Sequence, residues 1–489
     1  MTADDVFRPE ARAPRGFVDK RARDLQGERS ILAAVSQVYE SWGFEAFDTG
    51  AFEYADALGK FLPDSDRPNE GVFALQDDDE QWMALRYDLT APLARFAAQA
   101  WEGLAKPFRR YAYGPVWRNE KPGPGRFREF VQCDADTVGS ARPQADAEMV
   151  AMAAAGLEAA GLPRGAYVLK INSRKLLDGL MAEAGIADPR QKLTALRAVD
   201  KLDRLGWEGV KDLLGEGRLD ESGAYTKGAG LDVAAREAIG AYIDISTRGT
   251  GVLQALAELK LGALGEEGLR ELELIEDVLD GLGLAADQAR FDPAVVRGLE
   301  YYTGAVFEAE LLLETTDERG EAVRFGSVGG GGRYDDLVAR FTGQSVPATG
   351  FSFGVSRLAA ALRAAGRGSA QLSRGPVVVI AFDEARMGDY FALAGELRAA
   401  GVAAEVYLGT SGMRAQMKYA DRRLSPAAII LGEDEIAAGT VTVKDLDLGR
   451  ELARGLTDNR QWREDRPGQV TVPRAELVAV VMTILESAP

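Results

Sequence analysis

Residues 117–136 read "WRNEKPGPGRFREFVQCDAD". Pro-Gly-Pro-Gly at 122–125 is a turn signal, and the runs on either side predict a β-hairpin over roughly 108–138. Side chains alternate faces along a strand, so the outgoing strand gathers Arg126, Arg128, Phe130, Gln132, Asp134 and Asp136 on one side. Phe127, Glu129, Val131, Cys133 and Ala135 take the other side, which reads mostly as core. On the incoming strand Arg118 and Glu120 share a face in the same way. An amphipathic hairpin with a solvated polar face would account for this pattern. So would a ligand floor, with guanidiniums for phosphates, an aromatic for a base, and acceptors for a cationic or hydrogen-bonding group.

Composition narrows the choice. A chain of 489 residues has room for two or three domains, each with its own core. The start, "MTADDVFRPE", is polar and acidic, and no apolar run is long enough to cross a bilayer, so the expectation is a cytoplasmic protein without a membrane partner. A single cysteine, Cys133, excludes an intramolecular disulfide and a multi-cysteine zinc site. The formal charge of −18 argues against a general attraction to nucleic acid. Yet residues 106–130 hold seven cations against two anions, a basic island suited to a selective phosphate ligand. The chain contains no histidine, which removes imidazole general bases, His-dependent nucleophile pairs and His metal sites. An enzyme so composed works by positioning and fixed charge.

Along the chain, helical periodicity fits 26–42, 90–104 and 141–161, with strand-like sequence at 82–87 and through the hairpin. Residues 171–290 shift to Leu, Ala, Gly and alternating charge and read as a helical insertion between a first part at 1–170 and a second at 291–366. Strand-type sequence returns at 294–313 and 322–328, followed by four glycines at 329–332 and a helix near 334–341. After a small, polar linker at 366–375, residues 376–489 begin with a β-α-β-α-β alternation, which predicts a separate α/β module with a largely parallel sheet.

Individual positions carry weak signals. Arg357 falls in the first turn of a predicted helix, where a cation opposes the helix dipole unless an anion lies close by. The glycine run would let a ligand approach the backbone, or simply make a turn. Arg297 precedes a Gly and the pair Tyr301 and Tyr302, and strand tyrosines more often pack than bind. Asp88 stands just before Thr90, a predicted helix cap, and an acid there has capping as its ordinary role.

Taken in order, these segments resemble the histidyl-tRNA synthetases, a family of class II aminoacyl-tRNA synthetases. The matching stretches are "LRYDLTAPLARF" (85–96), "GPVWRNEKPGPGRFREFVQCDADTVG" (114–139), "RGLEYYTGAVFE" (297–308), "GGGGRYDDLV" (329–338) and "GFSFGVSRL" (350–358). The tail "QMKYADRRLSPAAIILGEDEIAAGTVTVKDL" (416–446) is similar to that family's anticodon-binding domain. The resemblance implies an α/β chain, with an α+β catalytic domain on a mainly antiparallel sheet, the helical insertion, and an α/β anticodon-binding domain at 376–489. It implies ATP-dependent ligation of L-histidine to histidine tRNA through a histidyl-adenylate, in a homodimer, with ATP as substrate and Mg2+ beside it.

The same resemblance distributes roles. Arg118 would hold the ATP α-phosphate, Arg126 and Arg357 the β- and γ-phosphates, Phe130 and Arg357 would sandwich adenine, and Glu120 would lie at the adenine and magnesium edge. Asp88 and Gln132 would receive the substrate α-amino group, and Asp136 the imidazole with Tyr302, beside Tyr301. Arg297 would stand between carboxylate and α-phosphate and, with Arg118, carry the catalysis. No residue is expected to ligate a resident metal. The chain departs from the family pattern at Gly50, where the first class II motif has a proline, and at Gly123, where many bacterial members carry a Gln toward an extra 5′ guanosine of the tRNA. A non-catalytic, synthetase-like regulatory subunit of an ATP phosphoribosyltransferase is the alternative. Such paralogues lack the anticodon-binding tail and lose ATP-site residues, whereas Arg118, Glu120, Arg297 and Arg357 all stand in this sequence.

Overall fold

The computed structural model describes residues 9–61, 71–123, 127–219, 223–249, 251–296, 302–313, 315–316, 322–323, 325–367, 374–455 and 468–487. The chain divides into two compact units, Met1–Ser369 and Ala370–Pro489.

An eight-stranded sheet organises the first unit. In chain order its strands are β1 (Glu45–Ala46), β2 (Phe108–Trp117), β3 (Glu129–Val138), β4 (Tyr167–Ser173), β5 (Ala289–Phe291), β6 (Ala305–Leu311), β7 (Ser327–Arg333) and β8 (Ala348–Gly354). Across the sheet they run β1-β2-β3-β8-β7-β6-β4-β5. Only the two end pairs, β1 with β2 and β4 with β5, are parallel, so the sheet is mainly antiparallel as expected. The β2–β3 hairpin is symmetric about Gly123, which sets Val116 opposite Phe130 and Arg110 opposite Asp136.

Val131, Cys133 and Ala135, on one face of β3, enter the main core with helices α1 (Ala22–Ser41) and α3 (Pro143–Ala159). In α1 the buried Ile31, Val35 and Tyr39 recur every four residues and form one stripe. This helix begins earlier than the apolar pattern indicates, because its first turn is polar and places Asp24 where a negative charge suits the dipole. Pro143, with its fixed φ and no N–H to lose, opens α3. Each fully buried Leu or Val in this core contributes about 1.5–3 kcal/mol. A second cluster joins α2 (Thr90–Ala100) to the sheet through Phe47, Phe96 and Phe108, with the Phe47 and Phe96 ring centroids 4.5 Å apart.

Between β4 and β5 the chain makes α4 (Arg174–Glu183), further helices at Pro189–Val199, Leu202–Leu214, Val233–Asp244 and Val252–Ala257, and then α5 (Gly262–Gly281). A short hairpin, Gly217–Leu219 with Tyr225–Lys227, lies within this otherwise helical stretch. Helices α4 and α5 touch backbone to backbone, since a Cβ on Gly179 would lie 2.3 Å from the Leu261 carbonyl oxygen. The last helix of the unit, α6 (Val355–Ala364), follows β8 directly.

The second unit has its own five-stranded sheet, in the order Ala404–Val406, Val377–Val379, Ala427–Ile430, Thr440–Asp445, Gln469–Pro473. Its first three strands are parallel, but the last two join antiparallel, so the sheet is mixed rather than largely parallel. The β-α-β pattern that suggested parallel strands ends at the third, and Val441 and Val443 bury the fourth against the same core. Among the described residues no helix is long and apolar enough to cross a membrane.

Candidate active site

The polar face of β3 is built as its parity demands. From Phe130 through Gln132 and Asp134 to Asp136, these side chains line one side of the sheet, and the last three are buried. Strands β2 and β8 flank them. Ala112 and Ser352 lie opposite Asp134, and Arg110 and Gly350 lie opposite Asp136. Because β8 and β7 meet Asp136 with glycines, Gly350 and then Gly332, the floor there carries no side chain. A Cβ on Gly350 would sit 2.0 Å from Asp136 Oδ1, so only glycine leaves that carboxylate in place.

Asp136 is the most elaborately held of these groups. Arg110, fully buried, places Nη2 2.7 Å from Asp136 Oδ2 and also donates to the Leu89 carbonyl at 2.9 Å. The Tyr334 hydroxyl donates to Asp136 Oδ1. Burial lifts the Asp136 carboxyl above its ordinary range, while Arg110 and Tyr334 pull the other way. Its neighbour Asp134 lacks such a cation of its own. Burial first, and next the charge of Asp136, push that carboxyl up to about 8, against Arg110 and the Ser352 hydroxyl. Gln132 Nε2 donates to Ser352 Oγ at 2.8 Å, which fixes the amide and leaves its buried Oε1 without a hydrogen-bond partner.

At the other end of the face a guanidinium is stacked between rings. Arg118 lies with Cζ 4.3 Å from the Tyr87 ring centroid and 5.1 Å from that of Phe130, and its Nε donates to the Tyr87 carbonyl at 3.4 Å. The Tyr87 hydroxyl donates to Glu120 at 3.1 Å, so Arg118, Phe130 and Glu120 converge through one tyrosine. Arg128 stands opposite Arg118, whose N–H donates to the Arg128 carbonyl at 2.9 Å. It precedes β3, donates from Nε to the Glu120 carbonyl at 3.0 Å, and packs against the backbone at Gly16. Arg126, Arg297 and Tyr301 lie outside the described residues.

Arg357 occupies the first turn of α6 and donates to the Phe325 carbonyl. The preceding Ser356 fixes that turn to the sheet, because its hydroxyl donates to Glu28 at 2.6 Å and accepts the Val131 N–H at 3.1 Å. Lys20 closes the network with a 2.6 Å contact to Glu28. Asp88 does the capping that the sequence suggests for Thr90, since its Oδ1 accepts the N–H groups of Thr90 at 3.1 Å and Ala91 at 2.9 Å. Its charge still acts on Asp134 and Asp136. Tyr302 is half-buried and packs against the cluster that contains Tyr334.

The basic island therefore has mixed employment. Arg109 pairs with Glu148, Arg110 with Asp136, and Lys106 lies over the Trp101 ring, so these three serve the fold and the pocket wall. Sequence reasoning missed Arg110, Tyr87, Ser352 and Tyr334 as site residues. Arg110 was recoverable, because it and Asp136 are equally far from Gly123 along the hairpin. Tyr334 offered no such signal, since it reaches Asp136 only through the packing of β7 beside β8.

Comparison with known proteins places this arrangement. A family profile described as Histidyl-tRNA synthetase matches residues 16–358, and one described as Anticodon binding domain matches residues 376–483. The chain is 72% identical over 482 residues to the Histidine--tRNA ligase of Caulobacter vibrioides, covering 98% of this chain and 97% of that one. It is 56% identical over 490 residues to the protein of the same name from Cereibacter sphaeroides, covering 98% of each. Among solved structures it is similar to the histidyl-tRNA synthetase of Nostoc sp. PCC 7120, with a TM-score of 0.70 and 27% identity over 97% of this chain and 99% of that one. The chain belongs to the histidyl-tRNA synthetase family.

Proposed function

We infer that the protein activates L-histidine with ATP and transfers it to histidine tRNA. The observation that carries this reading is the single face of the β2–β3 hairpin, where Arg118, just past β2, stacks near Phe130 of β3 and, farther along, the buried Asp136 carboxylate is held by Arg110 and Tyr334. The first suits a nucleotide, and the second suits a polar ring that donates a hydrogen bond.

In the reaction a carboxylate oxygen of histidine attacks the ATP α-phosphorus, the bond to pyrophosphate breaks, and histidyl-adenylate forms. A hydroxyl of the terminal adenosine of the tRNA then attacks the acyl carbon, and AMP leaves. No protein nucleophile is required. Arg118 and Arg297 supply fixed positive charge where negative charge gathers on the α-phosphate, and Arg126 and Arg357 neutralise the β- and γ-phosphates. Phe130 and Arg357 cover the adenine. Asp88 and Gln132 receive the α-amino group, and Asp136 and Tyr302, beside Tyr301, receive the imidazole.

Magnesium fits this site as a companion of the nucleotide. The described residues contain no cluster of three acidic or sulfur ligands, and magnesium commonly takes one or two carboxylates plus substrate phosphates. Glu120 would be its carboxylate, and the ion would offset phosphate charge.

The active protein is a homodimer in this reading, and it works in the cytoplasm where its tRNA is found. Support for the dimer comes from the small sheet of Phe52–Tyr54, Ala74–Gln76 and Trp82–Leu85, whose outer face sets Tyr54 beside Met83 and Leu75, with Tyr54 56% and Leu75 42% exposed. Incubating the protein with ATP, magnesium, labelled histidine and unfractionated tRNA tests the function. Histidine should become attached to tRNA. A protein that binds ATP and histidine yet charges no tRNA would contradict the reading and favour a regulatory subunit.

A further inference from the structure

Two buried acceptors stand side by side on the pocket face with no hydrogen bond to either. They are Gln132 Oε1 and Asp134 Oδ1, two residues apart on β3, in residues 8% and 2% exposed. Orphaned buried acceptors are costly; a proton on Asp134 can serve one of them in the free protein, and a bound cation with several N–H groups can serve both at once. A protonated amine is such a cation, with three N–H groups to share. Asp88 adds a third acceptor close enough for its charge to act on Asp134.

We propose that Asp134 is a third ligand of the substrate's α-ammonium group, and that histidine displaces a proton from Asp134 when it binds. The proposal rests on the histidine-activating function inferred above and adds to it a residue and a proton. The charged and titratable groups around Asp134 set the sign. Asp136 on the same strand and Asp88 ahead of α2 disfavour its ionisation, and Arg110 from β2 favours it. Strand β8 contributes only the Ser352 hydroxyl on this side. On the opposite face Cys133 and Tyr39 of α1 are themselves kept neutral by burial. With its carboxyl up at about 8, Asp134 holds its proton at neutral pH in the empty pocket. A cation placed against it favours the charged form, so the proton leaves. The free-state value lies above the bound-state value, so binding releases a proton in the window between the two, and histidine affinity rises with pH through that window and flattens above about 8.

The test is calorimetric titration of the full-length protein with L-histidine, without ATP, in buffers of different ionisation enthalpy. At about pH 7.5 the substrate's imidazole is already mostly neutral, so released protons report on the enzyme. The wild type should release more than about half a proton per histidine bound, and its affinity should rise by up to about tenfold per pH unit below pH 8. Imidazole-lactate, which has the ring and carboxylate but no ammonium, should release none. Asp134→Asn should bind histidine more weakly at pH 8, with no proton release and no rise with pH, while binding ATP as before. Histidine binding by the wild type without proton release, or equal release from Asp134→Asn, would overturn the proposal. The wild-type measurement decides even if the variant does not fold. A wild type that binds ATP but no histidine would contradict the function itself and remove the proposal with it.

Discussion

At the scale of single residues the pocket depends on Asp136 and on the cation that keeps it usable. Arg110 and Asp136 form a buried pair, 0% and 3% exposed at their side chains. Removing one partner of such a pair costs about 3–5 kcal/mol because the other charge stays behind without compensation. Arg110→Met should therefore lose stability of that size in denaturant titration, although it adds apolar surface. A loss below about 1 kcal/mol, the range of a solvated surface pair, would mean that Asp136 does not carry its charge in the fold. Asp136→Asn keeps the shape and removes the charge. A hydrogen bond to a charged group contributes about 1.5–3 kcal/mol, so kcat/KM for histidine should fall by roughly 10- to 150-fold with little change in KM for ATP. Equal effects on both substrates would place Asp136 outside the amino-acid pocket.

At the scale of elements, the sheet is shaped by what its strands leave out. The glycines of β7 and β8 make a floor beside Asp136, and a Cβ at Gly350 would collide with the carboxylate. Overpacking of this kind costs about 1–3 kcal/mol. Gly350→Ala should thus lower the melting temperature and raise KM for histidine, because Asp136 must swing away from its position. Unchanged histidine kinetics in that variant would show that the floor has slack. Much of this element was legible beforehand. Strand parity sorted Phe130, Gln132, Asp134 and Asp136 from Val131, Cys133 and Ala135, and the structure keeps the division, because a two-residue period is fixed by backbone geometry. The pairing runs on past the strand to Arg128, which parity could sort by face but whose use of its guanidinium on the Glu120 carbonyl no periodicity along the strand reveals. The partners of Asp136 were hidden for another reason. Arg110 is adjacent only across the hairpin and Tyr334 only across two further strands, and periodicity along one strand is blind to both. The antiparallel strands of the second unit escaped notice because they follow the last β-α step that marks a parallel sheet.

At the scale of the whole molecule, an acidic chain of net charge −18 exerts no general attraction on polyanions, so under the proposed function phosphates would be met locally, by arginines set on the sheet. Its two units have separate cores, one around β3, α1 and α3 and one around the strands at 377–379 and 427–430. The exposed apolar face around Tyr54, Met83 and Leu75 belongs to the proposed dimer. Tyr54→Asp should shift the protein to monomer in sedimentation at micromolar concentration, because a charge buried in an interface without a partner costs several kcal/mol. An unchanged dimer would move the interface elsewhere. The central claim concerns what the β3 face recognises, and it is tested most directly by ATP–pyrophosphate exchange with each amino acid in turn. A site that satisfies an imidazole with buried polar groups leaves them unpaired when an apolar analogue enters, so discrimination near 10⁴-fold, roughly, is within reach of binding alone. Exchange should be seen with histidine and with no other amino acid at comparable concentration. Exchange driven equally by a second amino acid, or none with histidine while ATP still binds, would contradict the account.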